Sequence, residues 1–393
     1  NTLSVSAATS DRSELRLMLS GQVAPVDVSN YVSGGTIGGL LQLQTGLLTP
    51  AQNSLGQIAL GIATLANQQQ QAGLDLSGNF GSPMFSIAPV TVSPASANAG
   101  TAAVAVTRTS LAGGTANDYD LRYTGSAWQL LRHDNGTVVS MTGSGTALSP
   151  FVADGLSMVV SGTPQAGDSI LIQPTHDVVG GLNLLLTSPD KIAAAAPMLT
   201  SAGAANTGTG TIDAGTVTSP GSWVKGQYSL RFTAANAWQV VNASNTVVAS
   251  GAYTAGAAIN FNGMQVHVSG TPATGDTFSI ADNSNGTGDG RNARALADAL
   301  SGKSLVNGTL SIADVAGGLI GDIGVKSAQA QAGRDAQQAV VTDANNALSN
   351  ASGVNLDEEA ANLLRYQQAY QAAARIITAA QEMFQTLLDA THR

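Results

Sequence analysis

Apolar and polar positions change period several times along the chain, and each change marks an element. Leu15, Leu17 and Leu19 alternate along LRLMLS, so residues 1-32 read as short strands or an irregular lead-in. From Ile37 to Leu47 apolar residues recur at helical spacing. Thr49-Pro50 then supplies an N-cap followed by proline at the first helical position. Beyond it Leu55, Ile58, Ile62, Leu65 and Ala72 keep a mostly three-four spacing, which predicts a helix presenting one apolar seam to a partner. Asn67 and the run Gln68 to Gln71 form its uncharged polar side, and continuation of the seam to Ala72 makes the glutamines the end of that helix.

At Gly73 the texture becomes rich in Gly, Thr, Ser and Val, with alternating runs such as VAVTR, GLSMVV and DSILIQ that suit antiparallel strands and tight turns. An internal repeat runs through it. ANAGT at Ala97 matches ANTGT at Ala205, YDLRYTGSAWQLL at Tyr119 matches YSLRFTAANAWQVV at Tyr228, and GLSMVVSGTPQAGDSILI at Gly155 matches GMQVHVSGTPATGDTFSI at Gly263. The offset stays near about 110 residues, which predicts two successive β modules, 91-190 and 200-285, each closed by a GTPxxGD turn. Leu182 to Leu199 connects them. The string DNSNGTGDG from Asp282 lacks the glycine and glutamate of a calcium loop at the sixth and twelfth positions, holding Thr287 and Ala293 there, and reads as a flexible hinge.

Helical spacing returns after Asp289. Asn292 to Leu300 is short, Leu310 to Ile323 is weakened by Gly317, Gly318 and Gly321, and Val325 to Leu348 has a thin alanine-rich seam. Segments 33-80 and 286-350 therefore form one discontinuous helical domain from which the β modules are an excursion. In the last segment, 351-393, Asn355 is a suitable N-cap and Glu358 stands three positions later, a capping box; Asp357 and Glu359 complete an acidic first turn. Leu356, Leu363, Tyr370, Ile377 and Phe384 then fall every seven residues, with Tyr366, Ala373, Ala380 and Leu387 completing an a/d seam. The helix reaches ~35 residues, roughly 50 Å. Such a helix needs another to pack against. The expected fold is α+β, elongated and multidomain: a helical body from the flanking segments, two inserted antiparallel β modules and a long C-terminal coiled-coil-like helix.

Composition narrows the chemistry. Only 10% of the 393 residues are charged and the net charge is -9, which argues against nucleic acid as a partner. Cysteine is absent, which removes disulfides, Cys-ligated metals and thiol nucleophiles. No run is long and apolar enough for membrane insertion, and NTLSVSAATSDRSEL lacks the n- and h-regions of a signal peptide, so the protein stays inside, leaves by a route without peptide cleavage, or starts elsewhere. His133, His176, His267 and His392 are too scattered for a metal or catalytic motif, and neither His133-Asp134 nor His176-Asp177 has an accompanying nucleophile motif. No catalytic, cofactor or metal residue is assigned. Tyr119, Tyr123, Trp128, Tyr228, Phe232 and Trp238 recur in both repeats, which favours packing within each sheet over a carbohydrate platform.

Three blocks resemble a known family. SGVNLDEEAANLLRYQQAYQAAARIITAAQEMFQTLL from Ser352, SGGTIGGLLQLQTGLLTPAQNSLGQIALGIATLANQQQQAGLDLSGNFG from Ser33 and GDGRNARALADAL from Gly288 are similar to segments of the bacterial flagellar hook-associated proteins of the hook-filament junction. The resemblance implies a structural subunit, exported by the flagellar type III apparatus without a cleaved signal peptide and located extracellularly on the flagellum. It implies self-association in a helical ring, the hook subunit on one side, the next hook-associated protein on the other, and an export chaperone. It also places Leu356 to Leu388 in the inner core and Leu55, Ile58, Ile62 and Leu65 in the next helical layer. The family begins with another axial helix carrying an SxNIANxxTPGYxR-like motif, absent here, so the chain is expected to be a fragment beginning inside a longer protein. Residues alone leave two rivals: an adhesin-like protein holding a glycan or host ligand on its β modules, and an enzyme with a cleft between them.

Overall fold

Alternating side chains become paired strands wherever the chain reads as β. A computed structural model describes residues 2–8, 15–21, 25–32, 34–352 and 356–391. The lead-in is an antiparallel sheet of β1 (Thr2–Ala7), β2 (Leu15–Ser20) and β3 (Val26–Asp27), in that order. Helix α1 (Gly35–Leu43) passes through a π-helical stretch, Gln44–Leu48, into α2 (Thr49–Ala72). Thr49 is therefore no N-cap: Leu48 before it is already helical. Pro50 cannot donate to the carbonyl four residues back and crowds it, and the wider π turn just ahead of it lets the helix continue.

The first β module holds β4 (Thr91–Pro94), β5 (Ala103–Arg108), β6 (Tyr119–Tyr123), β7 (Trp128–Arg132), β8 (Val138–Val139), β9 (Phe151–Ala153), β10 (Leu156–Ser161) and β11 (Ser169–Gln173). One sheet runs β4-β11-β6-β7-β8, the other β5-β10-β9. The second module repeats this with β12 (Met198–Ala202), β13 (Thr211–Ile212), β14 (Thr216–Val217), β15 (Gln227–Ala234), β16 (Ala237–Asn242), β17 (Val247–Ala252), β18 (Ala258–Phe261), β19 (Met264–Ser269) and β20 (Thr277–Asp282). Its larger sheet runs β12-β20-β15-β16-β17, the same path strand for strand.

Equivalent residues do equivalent work in the two modules. Tyr119, Leu121, Leu130, Leu156 and Met158 fill the first core; Tyr228, Leu230, Val240, Met264 and Val266 fill the second. Asp154-Gly155 and Asn262-Gly263 turn the β9-β10 and β18-β19 hairpins with positive φ at both residues, +44° then +75° and +44° then +77°. That geometry fits a two-residue hairpin and explains why Asp-Gly and Asn-Gly stand there.

After the second module come α3 (Arg291–Ser301), a hairpin of β21 (Lys303–Leu305) and β22 (Leu310–Ser311), α4 (Ile312–Ser352) and α5 (Leu356–Thr391). The two helices expected between Leu310 and Leu348 are one. Gly317, Gly318, Gly321 and Gly324 each weaken it by up to ~1 kcal/mol without removing a backbone donor, so the hydrogen-bond ladder survives. The string from Asp282 is also no hinge. Asp289 accepts from the Ala196 amide at 3.2 Å, from Asn283 Nδ2 at 2.6 Å and from the Arg291 guanidinium at 2.9 Å, knitting the loop to the connector. The chain divides into two compact units, Asn1–Ile323 and Gly324–Arg393.

Candidate assembly surface

Helix α5 opens on Asp357, Glu358 and Glu359, three acids in its first turn, where negative charge suits the positive end of the helix dipole. Of the cap pair, Asn355 lies outside the described residues, while Glu358 is exposed in that turn. The seam that follows is open. Leu363, Tyr366, Tyr370, Ile377, Phe384 and Leu387 are each exposed, Tyr370 to 79%, and Ala373 and Ala380 leave the same row slim. Leu364, Ile376 and Met383 widen the strip. Solvated apolar residues in this register are what one face of a coiled coil offers before its partner arrives.

Helix α2 carries two stripes. The Leu/Ile series is only partly covered: Leu55 is exposed, and Ile58, Ile62 and Leu65 are half-buried. The fully buried stripe is Asn53, Gly56, Gln57, Ala59, Ala63, Ala66 and Gln70, small residues and amides rather than large hydrophobes. The side expected to be solvated is thus in part the packed one. A Cβ on Gly56 would lie 1.9 Å from the Thr175 carbonyl oxygen, so the helix rests directly on that backbone. Gln57 Nε2 donates to the Gly114 carbonyl at 3.2 Å, and Gln70 donates to the Lys191 carbonyl at 2.7 Å while accepting from the Ala193 amide at 3.1 Å. Gln69 Nε2 donates to Asn292 Oδ1 at 2.5 Å and joins α2 to α3. The signal was available in the spacing of Ala59, Ala63, Ala66 and Gln70, which is as helical as that of the leucines.

The polar side chains of the β modules bond largely within the modules. Asp168, 2% exposed, accepts from the amides of Gln165, Ala99 and Gly100; Asp276 accepts from those of Ala273, Thr207 and Gly208. Backbone hydrogen bonds, from Gln165 and from Ala273 above all, hold both carboxyls below their ordinary range against the opposing effect of burial. His133 Nδ1 meets Asp120 at 2.8 Å, and His267 Nδ1 meets Asp213 at 2.7 Å. Neither pair is the sequence-adjacent one. Tyr119 and Tyr228 are buried and Trp128 and Trp238 half-buried against the cores. A cleft of about 450 Å³ lies between α2 and the first module, lined by Leu60, Ile87, Val90, Val106, Arg108 and Leu111 among others. Arg108, its one ionisable lining residue, is already given to the Ala88 and Pro174 carbonyls at 2.7 and 2.8 Å.

Comparison with known proteins matches several stretches of the chain. Residues 1–85 match the model of the flagellar hook-associated protein FlgK helical domain, 93–174 and 201–282 that of the D2-like domain of flagellar hook-associated protein 1, and 336–390 that of the flagellar basal body rod FlgEFG protein C-terminal region. Flagellar hook-associated protein 1 of Escherichia coli strain K12 is 26% identical over 355 residues, 90% of this chain and 49% of that protein. The Salmonella typhimurium strain LT2 protein of the same name is 26% identical over 359 residues, 90% of this chain and 50% of its own. The chain thus spans about half the length of these curated relatives. The flagellar hook junction protein FlgK from Burkholderia pseudomallei superposes with a TM-score of 0.72 at 31% identity, covering 88% of this chain and 70% of that one. Alike in fold and in sequence over most of that structure, this chain belongs to the flagellar hook-associated protein 1 (FlgK) family.

Proposed function

We propose that the protein is a structural subunit of the bacterial flagellum that joins hook to filament, assembling as a helical ring through its terminal helices. The observation that carries this reading is the open a/d seam of α5 from Leu363 to Leu387. Six large side chains in one row offer on the order of 10 kcal/mol of burial before association costs are met, enough to hold neighbours together when repeated around a ring. The exposed Leu55 and the half-buried Ile58, Ile62 and Leu65 of α2 form the next helical layer. The hook subunit lies on one side of the ring and the next hook-associated protein on the other. An export chaperone shields the α5 seam before type III export, which proceeds without a cleaved signal peptide to the cell exterior. Packing of Tyr119, Trp128, Tyr228, Phe232 and Trp238 against the module cores favours this reading over the adhesin-like alternative.

The test is a strain in which the full-length protein is replaced by one truncated before Leu356. Filament subunits are expected to be exported into the medium without forming filaments. Normal filaments on intact hooks would reject the assembly role of α5.

A further inference from the structure

Two strand edges of this chain are open, and their patterns match. Strand β5 is one edge of its sheet, paired only with β10 in an unbroken register from Ala103↔Ser161 to Arg108↔Leu156. One place further on, the Thr109 amide donates to the Gly155 carbonyl at 2.8 Å. The odd residues of β5 therefore bond to β10, while Val104, Val106 and Arg108 turn their amides and carbonyls outward. No described residue is hydrogen-bonded to those outward main-chain groups. The second module supplies a contrast. There β13 and β14 stand in the place of β5 beside β19, but the register moves by one residue between Ile212↔Val268 and Thr216↔Gln265. The interruption holds Asp213 and Gly215, the latter at φ +64°, a kink and a charge of the kind that keep an edge from pairing. Strand β5 has neither device: its one charge, Arg108, is turned to the Ala88 and Pro174 carbonyls.

The other open edge is β1. The Val28 amide donates to the Leu17 carbonyl at 2.8 Å on the β3 side of β2, so Arg16, Met18 and Ser20 bond to Ser6, Ser4 and Thr2 on the other side. Leu3 and Val5 therefore turn their main chain outward, and their side chains are 61% and 66% exposed. Strand β1 is six residues long, the length of β5, and carries no charge.

We propose that β1 of a second copy adds antiparallel to the β5 edge, with Val5 opposite Val106, Leu3 opposite Arg108 and Ala7 opposite Val104. This register joins the outward main-chain groups of both strands and sets like side chains together. Val104 and Val106 pack against the module core, so Leu3, Val5 and Ala7 extend that apolar face. Leu3 enters the cleft lined by Leu60, Val106 and Leu111, and Ser4 and Ser6 fall on the solvated face with Thr107 and Ala105. A slip of one residue would put the serines over the core and the leucine in water. The contact is heterologous, a different edge from each copy, so it propagates from copy to copy. It uses no residue of α5 and stands or falls separately from the assembly role of that helix.

The chain has no cysteine, so introduced ones report contact cleanly. Ser4 and Thr107 are both exposed and face each other in this register as a non-hydrogen-bonded pair, with Cα atoms ~4.5 Å apart, within disulfide reach. Intact chains carrying Ser4→Cys and Thr107→Cys singly are mixed and oxidised, and the products are identified by mass spectrometry. Because each cysteine is on a separate chain, the mixed disulfide reports contact between copies. It is expected to exceed by about tenfold the product of Ser4→Cys with Ala103→Cys, which lies four residues out of register on the same exposed face. Adding Val5→Asp to the Ser4→Cys chain should lower the yield about tenfold by placing a charge against the core face. At 66% exposure that change should leave the melting temperature of the chain as it was, which separates lost docking from lost folding. Equal yields with the Thr107 and Ala103 partners, no mixed disulfide, or a yield indifferent to Val5→Asp would overturn the proposal. So would a Thr107→Cys homodimer as the main product, which would make a second β5 the occupant.

Discussion

The Asp168 carboxylate takes the Gly100 amide at 3.1 Å, and its counterpart Asp276 takes the Gly208 amide at the same distance. Each GTPxxGD turn thus reaches back across the module to grip the ANxGT loop, and Asn98 and Asn206 seal the join through Ser169 and Thr277. Replacing Asp168 by Ala leaves three amides without their acceptor. It is expected to lower the melting temperature of the first module by several degrees and leave the second unchanged; Asp276→Ala should do the reverse. Residue-resolved hydrogen exchange separates the two. Because both folded carboxyls titrate below their ordinary range, this contribution is present above the unfolded value and is lost as pH falls through the folded one. Acid should therefore loosen the wild-type loops and have little further effect on each variant's altered loop.

Gly56 carries a steric prediction. With the Thr175 carbonyl oxygen 1.9 Å from where a methyl would sit, Gly56→Ala must push α2 off the first module, at a cost of about 1–3 kcal/mol in thermal or denaturant unfolding. Gly61 in the same helix has Leu305 and Ile312 at 3.4 Å, ordinary contact. Gly61→Ala should fall within ~1 kcal/mol of neutral, since the gain in helix propensity offsets a mild squeeze. Equal effects at the two sites would contradict the packing described.

These two glycines also show where sequence patterning stops. The repeat and the long terminal helix are legible because periods of two and of seven residues leave little choice of which face is apolar. For α2 the same logic picks Leu55, Ile58, Ile62 and Leu65 and passes over Gly56 and Gln70. What buries that second stripe is close backbone approach and amides matched to carbonyls on the connector, neither of which hydrophobicity measures. Likewise, GTPxxGD announces a turn, but nothing local says that Asp168 will bind an amide 68 residues earlier. Thr49-Pro50 reads as a helix start because proline is at home there; the π turn at Gln44–Leu48 that lets the helix continue has no comparable local signature.

Asp289 is the polar keystone of the loop after the second module. Its bonds to Arg291 hold the carboxyl down at about 2, and the Ala196 and Asn283 donors depend on it as well. Asp289→Ala should cost about 1–3 kcal/mol and raise hydrogen exchange at Ala196. The depressed value means that the interaction persists above the ordinary carboxylate range and fails only as pH drops toward 2. An unaltered exchange rate at Ala196 would show that the loop holds without the carboxylate.

Tyr370 on α5 separates folding from assembly. It is 79% exposed, so Tyr370→Asp removes no packed core and should leave the melting of Asn1–Ile323 unchanged. In an assembled seam the same change removes a large buried ring and places a carboxylate among apolar side chains. The loss is about 2 kcal/mol of burial plus the cost of dehydrating the charge. Every copy in a ring carries the substitution, so the penalty recurs at each contact and should prevent polymerisation of the full-length protein, read by sedimentation or electron microscopy. Gln368→Asp adds the same charge on the opposite side of the heptad and should assemble normally. If both variants polymerise, the seam is not the contact; if both fail, charge on the helix rather than its apolar face sets the outcome.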